Sequence, residues 1–297
     1  MKVKALITGG AGFIGSNLVD ALLKKDWEVI VIDNLSSDAH EQFYFNNKAT
    51  YYKYDILDYN KIYPLFKDID YVFHLAAESR IQPAIKNPLH AVNVNTLGTC
   101  NVLQASREHN VKRVIYSSTS AAYGLKNLPP LKETMPKDCL NPYSVSKTSG
   151  EELCKMYTDL YSLKTITFRY FNVYGPRQCT RGQYAPVIGL FLKQKAEGES
   201  MTVVGDGLQT RDYTHVDDVV DANILATKCN KGFGEIFNIG TGISYNILEL
   251  VDMIKGNHIH IPPRLGECRH TKADISKAES ILKWFPKIKL INYLDGN

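Results

Sequence analysis

Thr8-Gly9-Gly10-Ala11-Gly12-Phe13-Ile14-Gly15 follows a short apolar run and spaces Gly9, Gly12 and Gly15 three residues apart. Glycine is needed where backbone must turn tightly, approach a ligand closely or pack a helix against a strand. A helix opening at such a turn offers unpaired N–H donors and its positive dipole end, which suits a pyrophosphate. A second apolar run ends at Asp33, 18 residues beyond Gly15. A carboxylate there accepts hydrogen bonds from ribose hydroxyls and repels a 2′-phosphate, so the pattern points to NAD rather than NADP. Asp55-Ile56, at the end of a third run, is a candidate for the adenine end.

Tyr143 and Lys147 lie one helical turn apart, on one face. Tyr44/Lys48 and Tyr63/Lys67 share that spacing, so position is what distinguishes the third pair. It follows Asn141-Pro142, a helix start, and Tyr143 comes 24 residues after Thr119 in the hydroxyl run Ser117-Ser118-Thr119-Ser120. A phenol with a pKa of ~10 is a weak base at neutral pH. Lys147 and an oxidised nicotinamide ring, both positive, would favour the phenolate. Lowering its pKa by ~3 units corresponds to roughly 4 kcal/mol, within reach of two close cations in a dry site. Tyr143 could then take a proton from a substrate hydroxyl while hydride leaves the same carbon.

The elements that must position these groups are legible as alternation. Short apolar runs at 3–7, 28–32, 51–54, 71–74, 111–117 and 165–170 read as strands. Helix-period segments lie between them near 13–25, 58–67, 88–109 and 141–162. Strand–helix alternation of this kind predicts an α/β fold with a Rossmann-like, doubly wound parallel sheet. Residues 171–182 read as loop, followed by a helix near 185–197, a strand at 201–204, a helix near 215–228 and a strand at 235–239. The tail adds a helix near 246–255, a Pro-Pro-Arg-Leu-Gly loop at 262–266 and a short helix near 274–283. The expected division is a dinucleotide-binding domain over 1–170, with 215–240 returning to it, and a smaller α/β substrate lobe over 171–297.

Composition narrows the classes. The 297 residues are 44% apolar and 22% charged, which excludes disordered and low-complexity chains. No run reaches the ~18 apolar residues of a membrane span, and the opening residues are too short an apolar run for a signal peptide. Net charge is +4 without a dense basic tract, so nucleic acid is not an expected partner. Six scattered cysteines without a C-x-x-C pair read as reduced thiols of a cytoplasmic protein, most of them buried. His258-x-His260 is read as two outward positions of a strand rather than a metal site, and no metal is expected.

With these residues in place, the chain resembles the extended short-chain dehydrogenase/reductase family, and within it the nucleotide-sugar 4-epimerases of the UDP-glucose/UDP-N-acetylglucosamine type. The motifs that carry the likeness are the glycine turn, Phe73-His-Leu-Ala-Ala77, Asn93-Val-Asn95, residues 117–124 and Tyr143-x-x-x-Lys147. It continues through Arg169-Tyr-Phe-Asn-Val-Tyr-Gly-Pro-Arg177, Gly205-Asp-Gly207, Arg211-Asp-Tyr-Thr-His215 and Arg264-Leu-Gly-Glu267. The resemblance implies a UDP-sugar substrate, NAD as a resident cofactor and a homodimer built on the helices near 88–109 and 141–162. It makes Thr119 the hydroxyl partner of Tyr143 and Lys147 in catalysis, with Ser118 a weaker candidate. It places Phe13, Ile14, Asn34, Leu75, Ala76, Ala77, Asn93, Ser117 and Tyr170 along the cofactor.

On the substrate side the likeness implies Glu78, Asn172, Arg211, Arg264, Glu267 and Thr271, beside Thr119 and Tyr143. Forked guanidinium donors suit a diphosphate, an amide suits a phosphate oxygen, and Glu267 suits ribose hydroxyls. Thr271, seven residues after Arg264, is small where the family's sugar pocket is gated, which implies room for an N-acetyl group. A 4,6-dehydratase would carry Asp-Glu after the catalytic threonine, whereas Thr119 is followed by Ser120-Ala121. Glu78-Ser79-Arg80 keeps a UDP-glucuronate decarboxylase or uronate epimerase as the alternative, with Arg80 or Arg269 holding the carboxylate. A non-enzymatic NAD-binding module would lose the Tyr or the Lys, and this chain keeps both.

Overall fold

The computed structural model describes residues 2–180 and 185–296, so residues 181 and 182 of the expected loop lie outside the described residues. Seven strands form one sheet: β1 (Lys4–Thr8), β2 (Glu28–Ile32), β3 (Thr50–Tyr52), β4 (Tyr71–His74), β5 (Arg113–Thr119), β6 (Thr165–Tyr170) and β11 (Glu235–Ile239). All pair in parallel, in the spatial order β11-β6-β5-β4-β1-β2-β3. Every residue of β5 and β6 is buried, and apart from Arg113 and Arg169 they hold only apolar, tyrosine and small-hydroxyl side chains. The chain runs outward from β1 to β3, then jumps back to β4 on the other side of β1. That reversal leaves a crevice at the carboxyl ends of β1 and β4, the place where open α/β sheets bind ligands.

Helices cover both faces. Helix α1 (Phe13–Lys24) and α8 (Val216–Ala226) bury Leu18, Val19, Leu22, Val219 and Ala222 with Phe168 and Phe237 on one side. On the other, α5 (Thr99–Glu108) and α6 (Pro142–Tyr161) bury Val102, Leu103, Cys154 and Tyr157 with Val114 and Tyr116. Helix α6 starts under a capping box, Asn141 accepting from Ser144 N and Ser144 Oγ from Asn141 N, with Pro142 in its first turn.

The expected helix at 88–109 is built in three parts: α4 (Pro88–Val92), a wide i→i+5 turn over Asn93–Gly98, and α5. The expected helix at 58–67 is a single turn, α2 (Tyr59–Ile62), that tightens at Tyr63–Phe66, where Pro64 removes a donor. The strand expected at 111–117 begins and ends two residues later, because Ser118 and Thr119 still pair with Arg169 and Tyr170.

A second hydrophobic cluster gathers Tyr174, Ile188, Phe191, Met201, Val203, Tyr213, Leu250 and Ile254. Its elements are β7 (Val173–Tyr174), α7 (Val187–Ala196), β8 (Met201–Val204), β9 (Thr210–Asp212), β10 (Thr214–His215), β12 (Ser244–Asn246), α9 (Ile247–Ile254), β13 (His258–Ile261) and α10 (Leu290–Asp295). Buried Asp212 ties them together, accepting from the backbone N–H groups of Thr241, Gly242 and Ala273 at 2.7–3.0 Å. His258 and His260 are both exposed on β13, and no cluster of metal-binding side chains occurs among the described residues. All six cysteines are free, but Cys154 alone is buried, which corrects the expectation for the others. The physical reason is placement: Cys179 and Cys268, for example, lie in loops that border the sheet's crevice.

Candidate active site

The crevice is one cavity of about 630 Å³ reaching from the glycine turn to the second cluster. Gly9 (φ +72°) makes the turn, and a Cβ there would lie 2.7 Å from Ala76 N. A Cβ on Gly15 would lie 2.1 Å from Gly9 O, so α1 can approach β1 only as glycine. Gly12 is different: its side faces His40 Nε2 at 3.2 Å and no tighter backbone. It also caps α1 without any side chain, leaving the first-turn N–H groups for an anion. Asp33 accepts from Ala11 N and Leu35 N at 2.9 Å each, so it braces the glycine turn as well as facing the cavity. Asp55 accepts from Asn34 Nδ2 at 2.9 Å, and Ile56 lies beside it on the cavity wall.

A buried polar chain fixes the ends of β1 and β4. Thr99 donates to Asn95 O at 2.7 Å, so it accepts from His74 Nε2 at 2.9 Å. His74 Nδ1 is then left to accept from Thr8 Oγ1 at 2.7 Å, and Thr8 in turn accepts from Ala76 N at 3.2 Å. Burial first, then the Lys147 charge, pushes His74 down to about 3. The unfolded chain, with its imidazole at ~6.5, takes up a proton between those values that the folded chain refuses. Stability is therefore lost as pH falls through that window, about 2 kcal/mol between pH 6.5 and 4.5. His74→Gln should remove this part of the slope in urea unfolding curves at the two pH values; an unchanged slope would contradict a buried neutral imidazole.

Thr119 ends β5 and Tyr143 opens α6, and both side chains line the same cavity. Thr119 Oγ1 accepts from Ala121 N at 3.1 Å. Lys147, one turn on, lies with Nζ 4.5 Å from the centre of the Tyr116 ring. Burial pushes the Tyr143 phenol up, the nearby Thr119 hydroxyl draws it back and the Glu78 carboxylate raises it again. Burial pushes Lys147 down to about 7, opposed by Cys154 and Glu151. Burial sets the direction at Tyr143, so the acidification expected of it has to come from charge brought beside it, Lys147 together with an oxidised nicotinamide ring.

Ser118 is also corrected as a catalytic candidate. Strand alternation turns its hydroxyl to α6, where it donates to Glu151 at 2.6 Å. Glu151 is buried and receives Arg169 through two bonds of 2.8–2.9 Å, with Lys137 Nζ at 3.1 Å. Lys147-x-x-x-Glu151 is the sequence signal for this group, an i,i+4 pair on α6.

Ser117 donates to Tyr170 at 3.2 Å, and Asn223 donates to the same phenol at 2.8 Å. Leu75, Ala76, Ala77, Phe13, Ile14 and Glu78 line the same wall. Asn93 does not: it is exposed and away from the cavity. The wide turn over Asn93–Gly98 shifts the inward face, so that Asn95 is buried instead and clamps Glu78 through its backbone N–H (2.8 Å) and C=O (3.0 Å). Across the cavity, Glu267 lies between Arg211 (3.5 Å) and Arg264 (3.9 Å). Asn172 lines the wall near them and donates to Asp212 O at 3.0 Å, and Thr271 is buried beside it. Of the two arginines considered for a carboxylate, Arg80 pairs with Asp38 and Arg269 takes Asp206 through two bonds of 2.6–2.9 Å outside the cavity.

Compared with known proteins, residues 5–240 match the model of the NAD dependent epimerase/dehydratase family. The chain belongs to that family. For this epimerase/dehydratase chain NAD is the cofactor, and the approach left open at Gly12 is compatible with a pyrophosphate on the glycine turn. It is 40% identical to a putative UDP-glucose 4-epimerase of Methanocaldococcus jannaschii, covering 98% of each chain. It is similar in structure to UDP-glucose 4-epimerase of Thermotoga maritima with UDP-glucose: TM-score 0.92, 37% identity, 98% of this chain and 96% of that one. The UDP-N-acetylglucosamine 4-epimerase of Methanobrevibacter ruminantium, in complex with UDP-N-acetylmuramic acid, gives TM-score 0.92 at 35% identity over 99% and 96%. No helix among the described residues is long and apolar enough to cross a membrane.

Proposed function

We propose that this chain inverts C4 of a UDP-hexose through a transient 4-keto sugar. The observation that carries the reading is the convergence of Thr119, Tyr143 and Lys147 on a cavity walled at one end by the glycine turn and at the other by Arg211, Glu267 and Arg264. The sheet half, including β11, would hold the dinucleotide, and the remaining lobe the nucleotide sugar. Bound NAD supplies a hydride acceptor and donor at the sugar carbon.

The chain's own residues do the rest. Tyr143 Oη takes the C4 hydroxyl proton and later returns it, and Thr119 hydrogen-bonds the reacting oxygen so that it faces the phenol. Arg211, Arg264 and Asn172 hold the diphosphate, and Glu267 the uridine ribose. A substrate held by its diphosphate leaves the sugar free to turn, so that hydride lost from one face returns to the other. Apolar Leu75, Ala76 and Ala77 on the cavity wall would offer the keto sugar no polar partner.

Thr271 is small and buried at the cavity wall, which supports acceptance of acetylated as well as plain hexoses. Apolar side chains left exposed on α4 to α6, among them Leu89, Leu97, Val145 and Leu160, support a homodimer, and the free thiols fit the cytoplasm. The test is NMR of products from UDP-glucose, UDP-GlcNAc and UDP-glucuronate. Expected are UDP-galactose and UDP-GalNAc at comparable rates, and Thr271→Tyr losing the acetylated pair by at least tenfold, since a ring blocks more than the few kcal/mol of one misplaced group. Carbon dioxide from the uronate, or turnover of the uronate alone, would replace this reading by the decarboxylase or uronate epimerase.

A further inference from the structure

Among the described residues lining the cavity, the lysines and arginines are Arg80, Lys147, Arg211 and Arg264. Arg211 and Arg264 flank Glu267 at the substrate end, and Lys147 lies under Tyr143 on α6. A pyrophosphate seated on the glycine turn brings two negative charges close to Asp33, and Arg80 is the cavity cation whose charge acts on His40, which stands over Gly12. The placement of Arg80 follows from strand order. The glycine turn continues β1, which lies between β4 and β2. Arg80 stands in the segment after β4, and its ion-pair partner Asp38 stands in the segment after β2. Their contact therefore spans the mouth of the turn.

His40 belongs to the same bridge. Cys179 Sγ lies 3.4 Å from its Nδ1, and its Nε2 stands over Gly12. We propose that Arg80, assisted by His40, closes over the glycine turn and grips the pyrophosphate of the dinucleotide. The inference rests on the dinucleotide reading given above. Asp38 is 80% exposed whereas Arg80 is 18% exposed, so the carboxylate is a partner that water can replace cheaply while the guanidinium stays. A guanidinium fork can then engage two phosphate oxygens.

The experiment is calorimetric titration of the full chain, freed beforehand of the NAD it retains, with NAD, ADP-ribose, adenosine, UDP and UDP-glucuronate, for wild type, Arg80→Met and His40→Ala. Methionine keeps the length of the stem and removes the charge. Expected is a Kd for NAD and ADP-ribose raised about 10- to 100-fold in Arg80→Met, a smaller rise of the same pattern in His40→Ala, and unchanged adenosine and UDP. Unchanged NAD affinity overturns the proposal, as does equal weakening of adenosine or a loss confined to UDP-glucuronate, which would give Arg80 to a sugar carboxylate. If wild type itself fails to bind NAD and ADP-ribose, the dinucleotide reading has failed instead.

Discussion

Tyr143→Phe should keep its NAD and lose about 10³-fold or more in kcat with UDP-galactose, the range that a positioned acid–base group supplies. The ring and its packing are retained, and the start of α6 is held by the Asn141–Ser144 box rather than by the phenol. What disappears is one oxygen. Nothing beside it can take over the proton: Thr119 is bonded to Ala121 N, and Ser118 has given its hydrogen to Glu151. Lys147 has no phenol through which to act. The glycine turn, Asp33 and Asp55 lie on other elements, so cofactor released on denaturing the variant should match wild type. Turnover within tenfold of wild type would move the base to another group. A variant that lost NAD along with activity would show that the phenol holds the cofactor, and the kinetic result alone could not then assign it.

The same contrast explains what could be read from sequence. The glycine turn and the Tyr143/Lys147 pair are local devices, where spacing of a few residues fixes which backbone and side chains meet. Strands buried on both faces, such as β5 and β6, announce themselves as continuous runs. Elements of two or three residues, β7, β9, β10 and β12, carry no period and were not legible. Asn93 reads as a cavity residue on a regular helix, and nothing in Asn93-Val-Asn95 marks the five-residue turn that places it elsewhere. The pairing of Arg80 with Asp38 depends on β1 lying between β4 and β2, a fact of topology. The direction in which Tyr143 and Lys147 shift depends on burial, which is assembled from the whole chain.

The second large effect concerns the charge beneath the site. Glu151→Leu should destabilise the protein by roughly 3–5 kcal/mol in denaturant unfolding, because it leaves Arg169 buried without its carboxylate. Arg169 already carries one buried nitrogen with no partner, so the site has no spare acceptor to offer it. Glu151→Leu with Arg169→Met should recover most of that loss, since exchanging a buried ion pair for apolar side chains of similar volume is often neutral or better.

Activity should not recover with stability. Ser118 loses its acceptor at the end of β5, so the neighbouring Thr119 is less firmly aimed at Tyr143. Lys147 loses the carboxylate that opposes its desolvation and keeps Cys154 on its own helix, with Tyr116 and His74 facing it from β5 and β4. Its charge should therefore be lost at lower pH, moving the alkaline side of the kcat profile downward in the double variant. A double variant as unstable as the single one would deny that the orphaned guanidinium is the cause. Restored stability with a wild-type pH profile would confine Glu151 to holding β5, β6 and α6 together.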